Sequence, residues 1–203
     1  MIEFLFSQYK NYPNYQIALE IIAILFGLLS VWFAKKNNIL VYPTGIVNTA
    51  IYVYLLYQWS LLGDMMINFY YVVMSIYGWY NWTKKNNDEG ATFPIATMTK
   101  QEYKNAIIVF VATILFVLAV YWFFDKFTHY TAYIDTFVTG IFLVGMWLMA
   151  KRKIENWIFW IIGDLISIPM YYVKGYTFTS IQYIVFTIIA FAAYKEWKKN
   201  LVN

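Results

Sequence analysis

Trp157, Trp160 and Asp164 stand at i, i+3 and i+7 inside the apolar run "ENWIFWIIGDLISIPMYYVKGY". On a helix that spacing puts all three on one stripe, and Tyr171 continues it. Two indole faces and a carboxylate suit a flat aromatic cation: the rings offer stacking and cation–π attraction, the acid an ion pair or hydrogen bonds. An ionised side chain costs roughly 2.5–3.5 kcal/mol at the centre of a spanning helix, so it normally faces a cavity or a partner. Apart from Lys195 at the very end of the last, no Lys or Arg lies inside an apolar segment of this chain, which favours the cavity for Asp164. The alternatives are an interfacial belt for the tryptophans and a structural pairing with a lysine for the acid.

Three further stripes carry polar groups at similar depth. Asp64, Asn68, Tyr71, Ser75 and Trp79 share a face over 60–82. Gln182, Phe186 and Ile189 share one over 177–195, and Thr44, Asn48 and Tyr52 one over 39–57. Asp64 reads equally as a helix N-terminal residue beside the dipole. Each amide reads alternatively as a bond between helices. Polar stripes from four segments nevertheless look like the lining of one cavity, with Asn48, Asn68, Tyr71, Trp157, Trp160, Asp164, Tyr171 and Gln182 as its candidate residues.

The elements that must position these residues follow from composition. The 203 residues are 62% hydrophobic and 23% aromatic, but only 13% are charged, where a soluble domain has about a quarter charged. Seven apolar segments reach spanning length, roughly 20 residues: 16–34, 39–57, 60–82, 105–124, 133–150, 154–173 and 177–195. Backbone groups in lipid must be satisfied internally, so the segments are helices. The chain is therefore read as an all-α integral membrane protein, one membrane domain over 1–203. The first dozen residues suit the interface, and no cleavable signal is visible at the start. Pro43 and Pro169 are possible kinks, Gly78 and Gly163 close approaches, and Glu20 a residue snorkelling to water. Glu155 reads as a solvated partner of the lysines at 151–153.

The fourth segment is almost free of polarity and reads as a lipid-facing connector (105–124). Before it lies the longest polar stretch, 83–104, a loop with room for a short surface helix. "MINFYYVVMSIYGWYNWTKK" (Met66–Lys85) aligns without gaps on "SIQYIVFTIIAFAAYKEWKK" (Ser180–Lys199). That supports a three-plus-one-plus-three plan, with one three-helix repeat at 15–82 and another at 133–197. An even number of spans separates equivalent helices, so the repeats run parallel, with a site between them near the midplane. Of the 15 basic residues, Lys10, Lys126 and Lys174 fall on one side and the other twelve on the opposite side. The asymmetry predicts the N-terminus outside and the C-terminus in the cytoplasm.

No cysteine and a single histidine, His129, argue against a metal centre, a resident cofactor or a catalytic constellation. The basic residues form no patch for nucleic acid. A membrane enzyme is the lower alternative, and a sensor or scaffold would not need converging polar stripes.

"GDMMINFYYVVMSIYGWYNW", "WIFWIIGDLISIPMYYVKGY" and "TSIQYIVFTIIAFAAYKEW" resemble the PnuC family of bacterial vitamin transporters, over essentially the whole chain after the first dozen residues. The resemblance implies a seven-helix fold similar to full-length SWEET transporters. It also implies facilitated diffusion of a vitamin, of nicotinamide riboside type, across the inner membrane, often by homotrimers, with trapping by intracellular phosphorylation. Trp157, Trp160 and Asp164 would then line the site, with Asn68 and Gln182 supplying amides. An acid at 164, where nicotinamide riboside carriers tend to have an amide, is similar to relatives that carry thiamine, so thiamine is the alternative ligand.

Overall fold

The computed structural model describes residues 13–59, 61–84, 94–125, 130–174 and 177–201. Lys10, Lys85, Lys126, His129 and the N-terminal dozen lie outside the described residues. Among those described, seven helices follow the apolar segments: α1 Asn14–Lys35, α2 Val41–Gln58, α3 Leu62–Thr83, α4 Lys100–Phe123, α5 Thr131–Ala150, α6 Asn156–Val173 and α7 Thr177–Lys199. By length and composition alone, α1, α4 and α5 suffice to cross a membrane. The other four carry Asn48, Asn68, Asp164 and Gln182, which lower their hydropathy.

α1 packs on α2 and α2 on α3; α5 packs on α6 and α6 on α7. The two triplets meet where α3 lies on α5 and α1 on α7. α4 rests against α5 and leaves Ile107, Ile108, Val111 and Leu115 exposed. Pro169 sits inside α6 without ending it.

From Val41 to Asn156 and from Leu62 to Thr177 are both steps of 115 residues. The turns before α2 and α6 are also built alike. Asn37 and Arg152 both take left-handed φ, 54° and 56°. Their N–H groups donate to Ala34 and Met149 at 3.0 and 2.9 Å. The next N–H groups, of Asn38 and Lys153, donate to Phe33 and Leu148, both at 2.9 Å. Asn tolerates this backbone region readily and Arg does not. Arg152 is held there by its side chain, whose Nε donates to Asn37 Oδ1 at 2.9 Å while the guanidinium lies over Trp82.

Two expectations about the polar stretch change. α4 begins five residues before the apolar run because Thr99 and Glu102 form a reciprocal capping box. Such a box satisfies N–H groups that would otherwise stay orphaned, so the helix starts where the box is and not where apolarity begins. The described residues ahead of it form no surface helix. Ile95 bridges to Leu201 and Ala96 to Lys153, and Ile95 and Met98 are buried. The second change concerns Glu155, which is not a solvated partner of lysines. Its Oε1 accepts the Met98 N–H at 2.9 Å, and Glu102 instead pairs with Lys151 and Lys153, each at 3.0 Å. Neither contact is visible in sequence spacing, because each joins segments far apart in the chain.

Glu102 sits ahead of the apolar run. Burial alone would raise its carboxyl, but the Thr99 N–H and the two lysines outweigh burial and hold it at about 2. A depressed carboxylate contributes stability that is complete above its ordinary value of 4.5 and fades as pH falls toward 2. Melting in detergent should therefore show Tm falling as pH drops from 5 to 3, and Glu102→Gln should flatten that fall. An unchanged slope in the variant would remove Glu102 from the acid response.

Candidate functional site

A cavity of about 400 Å³ lies between the triplets, lined by residues of α1, α2, α3, α5, α6 and α7. That volume falls within the usual range for one small ligand, roughly 300–1,000 Å³. Among the described residues, none of its lining comes from α4. Of the residues singled out by spacing, Asn48, Asn68, Tyr71, Trp157, Trp160, Asp164 and Gln182 all line it. Tyr171 does not. Its ring stacks on Tyr183, which does (5.2 Å between centroids, 17° between planes).

The tryptophans occupy different settings. Trp160 stacks on Phe142 at 5.3 Å and 28°, and Phe142 faces Tyr183 at 6.2 Å and 7°. Trp160, Phe142, Tyr183 and Tyr171 thus form one column of rings, the first three along the cavity wall and Tyr171 beyond it. Trp157 is buried in the floor, edge-on against Trp197 at 5.5 Å and 87°. Both indole Nε1 atoms are buried, and neither has a hydrogen-bond partner among the described residues. An interior N–H left unpaired costs about 1–3 kcal/mol, so two orphans on one cavity wall suit a ligand that brings acceptors.

Asp164 is 3% exposed. Among the described residues no hydrogen bond or ion pair reaches its carboxylate, which rules out the lysine pairing there; the phenols of Tyr71 and Tyr183 lie within its electrostatic reach. The helix packing leaves it room because Gly163, beside it, sits against Phe142 where a Cβ would collide. The amides have partly committed donors. Asn48 Nδ2 crosses to the Ala23 carbonyl on α1 at 2.7 Å, so it both ties helices and lines the cavity. Asn68 Nδ2 donates to Asp64 O within α3 at 3.0 Å. Asp64 itself lies in the first turn of α3.

Spacing missed Tyr42, Phe142, Met146 and Tyr183, all of which line the cavity. Apolar and tyrosine letters are so abundant here that no periodicity distinguishes them. It also missed a charged contact at the far end of the bundle. Asp135 Oδ2 accepts from Tyr121 Oη at 2.9 Å and from Lys174 Nζ at 3.2 Å, joining α4, α5 and the end of α6. An acid one turn into the fifth apolar segment was the available signal.

Residues 17–199 match the family described as nicotinamide mononucleotide transporter. Escherichia coli (strain K12) has a similar protein, the nicotinamide riboside transporter PnuC, 23% identical over 205 residues that cover 88% of this chain and 84% of that one. The riboflavin/roseoflavin transporter RibM of Streptomyces davaonensis is 19% identical over 181 residues, 88% of this chain and 83% of that one. A crystal structure of the vitamin B3 transporter PnuC superposes with a TM-score of 0.65 at 21% identity, covering 97% of this chain and 85% of that one. That structure shares the fold. A family match over 17–199, on a helical bundle enclosing an aromatic cavity, leads to one conclusion: the chain belongs to the nicotinamide mononucleotide transporter (PnuC) family.

Proposed function

We propose that this protein carries a flat cationic vitamin, of nicotinamide riboside type, across the cytoplasmic membrane by facilitated diffusion. The observation that carries the reading is the Asp164 carboxylate in a cavity with two buried indole N–H groups that have no hydrogen-bond partner among the described residues. A pyridinium bearing a carboxamide answers both needs: its charge meets the acid, and its carbonyl and ribose oxygens meet the indoles. Entry by diffusion with trapping through intracellular phosphorylation completes the proposal. Thiamine is the second reading, favoured by the same acid, which accepts well from an exocyclic amine.

The proposed architecture is seven spanning helices in a single membrane domain, with the N-terminus outside and the C-terminus inside. Two parallel three-helix halves (15–82 and 133–197) flank the connector over 105–124, as in SWEET-type carriers. The 115-residue step between helix bounds supports this plan, as do the matched turns at Asn37 and Arg152. So does the exchange of contacts, α3 on α5 against α7 on α1. A homotrimer in the membrane belongs to the same reading. The test is reconstitution: vesicles containing the protein should equilibrate labelled nicotinamide riboside without ATP or an ion gradient. Exchange of thiamine or riboflavin alone would reassign the ligand, and failure with all three would overturn the vitamin-carrier reading.

A further inference from the structure

The cavity has a floor made of four rings. Tyr42 and Trp157 line the cavity. Each meets a second ring edge-on: Tyr42 meets Trp82 at 5.0 Å and 90°, and Trp157 meets Trp197 at 5.5 Å and 87°. Trp82 and Trp197 touch each other at 5.8 Å. All four residues are at most 3% exposed. Beyond them lie the turns that carry Asn37 and Arg152, at the basic end of the bundle.

The floor is tied across the two triplets by a matched pair of bonds. Trp82 Nε1, on α3, donates to Met149 O in the last turn of α5 at 3.2 Å. Trp197 Nε1, on α7, donates to Ala34 O in the last turn of α1 at 2.9 Å. Arg152 Nε bonds to Asn37 Oδ1 at 2.9 Å and links the turns themselves. Both indole acceptors are carbonyls at a helix end, where no intrahelical partner is due. Each also accepts a turn N–H, from Arg152 and from Asn37 respectively. Withdrawing an indole therefore leaves neither carbonyl bare, and the freed N–H would meet the water that an opened floor admits. The cost of release is then mainly the contact of Trp82 with the Arg152 guanidinium, and the two hydrogen bonds themselves fit a part that opens and closes.

We propose that this ring quartet is the gate between the cavity and the basic end, and that the two indole–carbonyl bonds are its latch. The proposal rests on the carrier reading for its purpose. Trp82 and Trp197 act as positioning residues, holding the triplets together below the ligand. Because Trp157 lies between the cavity and Trp197, a ligand against its ring presses on the latch.

The chain contains no cysteine, so single thiols can be placed on a silent background. Ala190 lines the cavity. An Ala190→Cys protein in vesicles exposing the basic end should react slowly with a charged, membrane-impermeant thiosulfonate. Adding Trp82→Phe and Trp197→Phe keeps the rings and removes both donors. Labelling should then quicken at least tenfold, since each neutral bond is worth roughly a factor of five. An unchanged rate, in protein whose remaining tryptophan fluorescence is still quenched by nicotinamide riboside, would overturn the latch.

A second arm covers loss of folding in those variants. Asn81 Nδ2 reaches the Ala150 carbonyl across the same seam at 3.3 Å. The double variant Asn81→Cys with Ala150→Cys, once oxidised to a disulfide, should stop exchange while ligand binding persists, and reduction should restore exchange. Continued exchange in the cross-linked protein would also overturn the gate. Should the parent bind none of the vitamins, the carrier reading fails, yet the labelling rates, with melting temperature as the check on folding, still report on the gate.

Discussion

Asp164→Asn is expected to weaken nicotinamide riboside binding by roughly 100-fold, equivalent to about 2.8 kcal/mol at 1.4 kcal/mol per tenfold. The carboxylate is 3% exposed, and among the described residues no other Asp or Glu lines the cavity to meet a cation in its place. Removing one member of a desolvated charge pair typically costs 2–5 kcal/mol, because the remaining charge stays buried without a counterion. Asparagine keeps the volume and an acceptor, so the loss isolates charge. The uncharged dihydro form of the same nucleoside provides the control, and its affinity should change only slightly. Equal losses for both forms, measured by calorimetry, would make Asp164 a structural residue. Without ligand the sign reverses. An unpaired interior carboxylate is a liability, so the ligand-free variant should melt no lower than the parent.

How much of this site was legible in the sequence depends on what periodicity encodes. The i, i+3, i+7 spacing gave the azimuth of Trp157, Trp160 and Asp164 on α6, and all three line the cavity. It gave no depth. Tyr171 shares their stripe but lies seven residues past Asp164, about 10 Å further along at 1.5 Å per residue, and there it meets Tyr183 instead. The run lengths located all seven helices. The start of α4 escaped because Thr99 and Glu102, polar residues outside the run, set it. The gapless match of Met66–Lys85 on Ser180–Lys199 pairs Lys84 with Lys198, a step of 114. The helix bounds advance by 115, which pairs Trp82 with Trp197 and Tyr42 with Trp157, the four rings of the floor. Identity alone favoured the lysines. Only hydrogen bonds to Met149 and Ala34 reveal that the tryptophans do the same job.

The largest effect without a change of charge is expected from Gly163→Ala. A Cβ there would lie 2.7 Å from Cδ1 and 2.9 Å from Cζ of Phe142, and nearer still to Cε1. Phe142 is flanked by Trp160 at 5.3 Å and Tyr183 at 6.2 Å, and the open space beside it is the cavity itself. Overpacking of this kind costs about 1–3 kcal/mol, and relief by moving Phe142 shifts the Trp160 ring with it. The variant should melt several degrees lower and bind nicotinamide riboside roughly tenfold more weakly. Adding Phe142→Leu should restore the melting temperature but not the affinity, since the clash is removed together with the ring that holds Trp160. Full affinity in the double variant would show that Phe142 fills space and does not orient Trp160. The same crossing between α1 and α2 has the sizes exchanged: Gly27 on α1 makes room for Asn48 on α2, a Cβ at 27 lying 2.9 Å from its Nδ2. One wall thus receives an amide where the other receives a carboxylate beside a ring. The two walls differ because the small residue sits on α6 in one crossing and on α1 in the other.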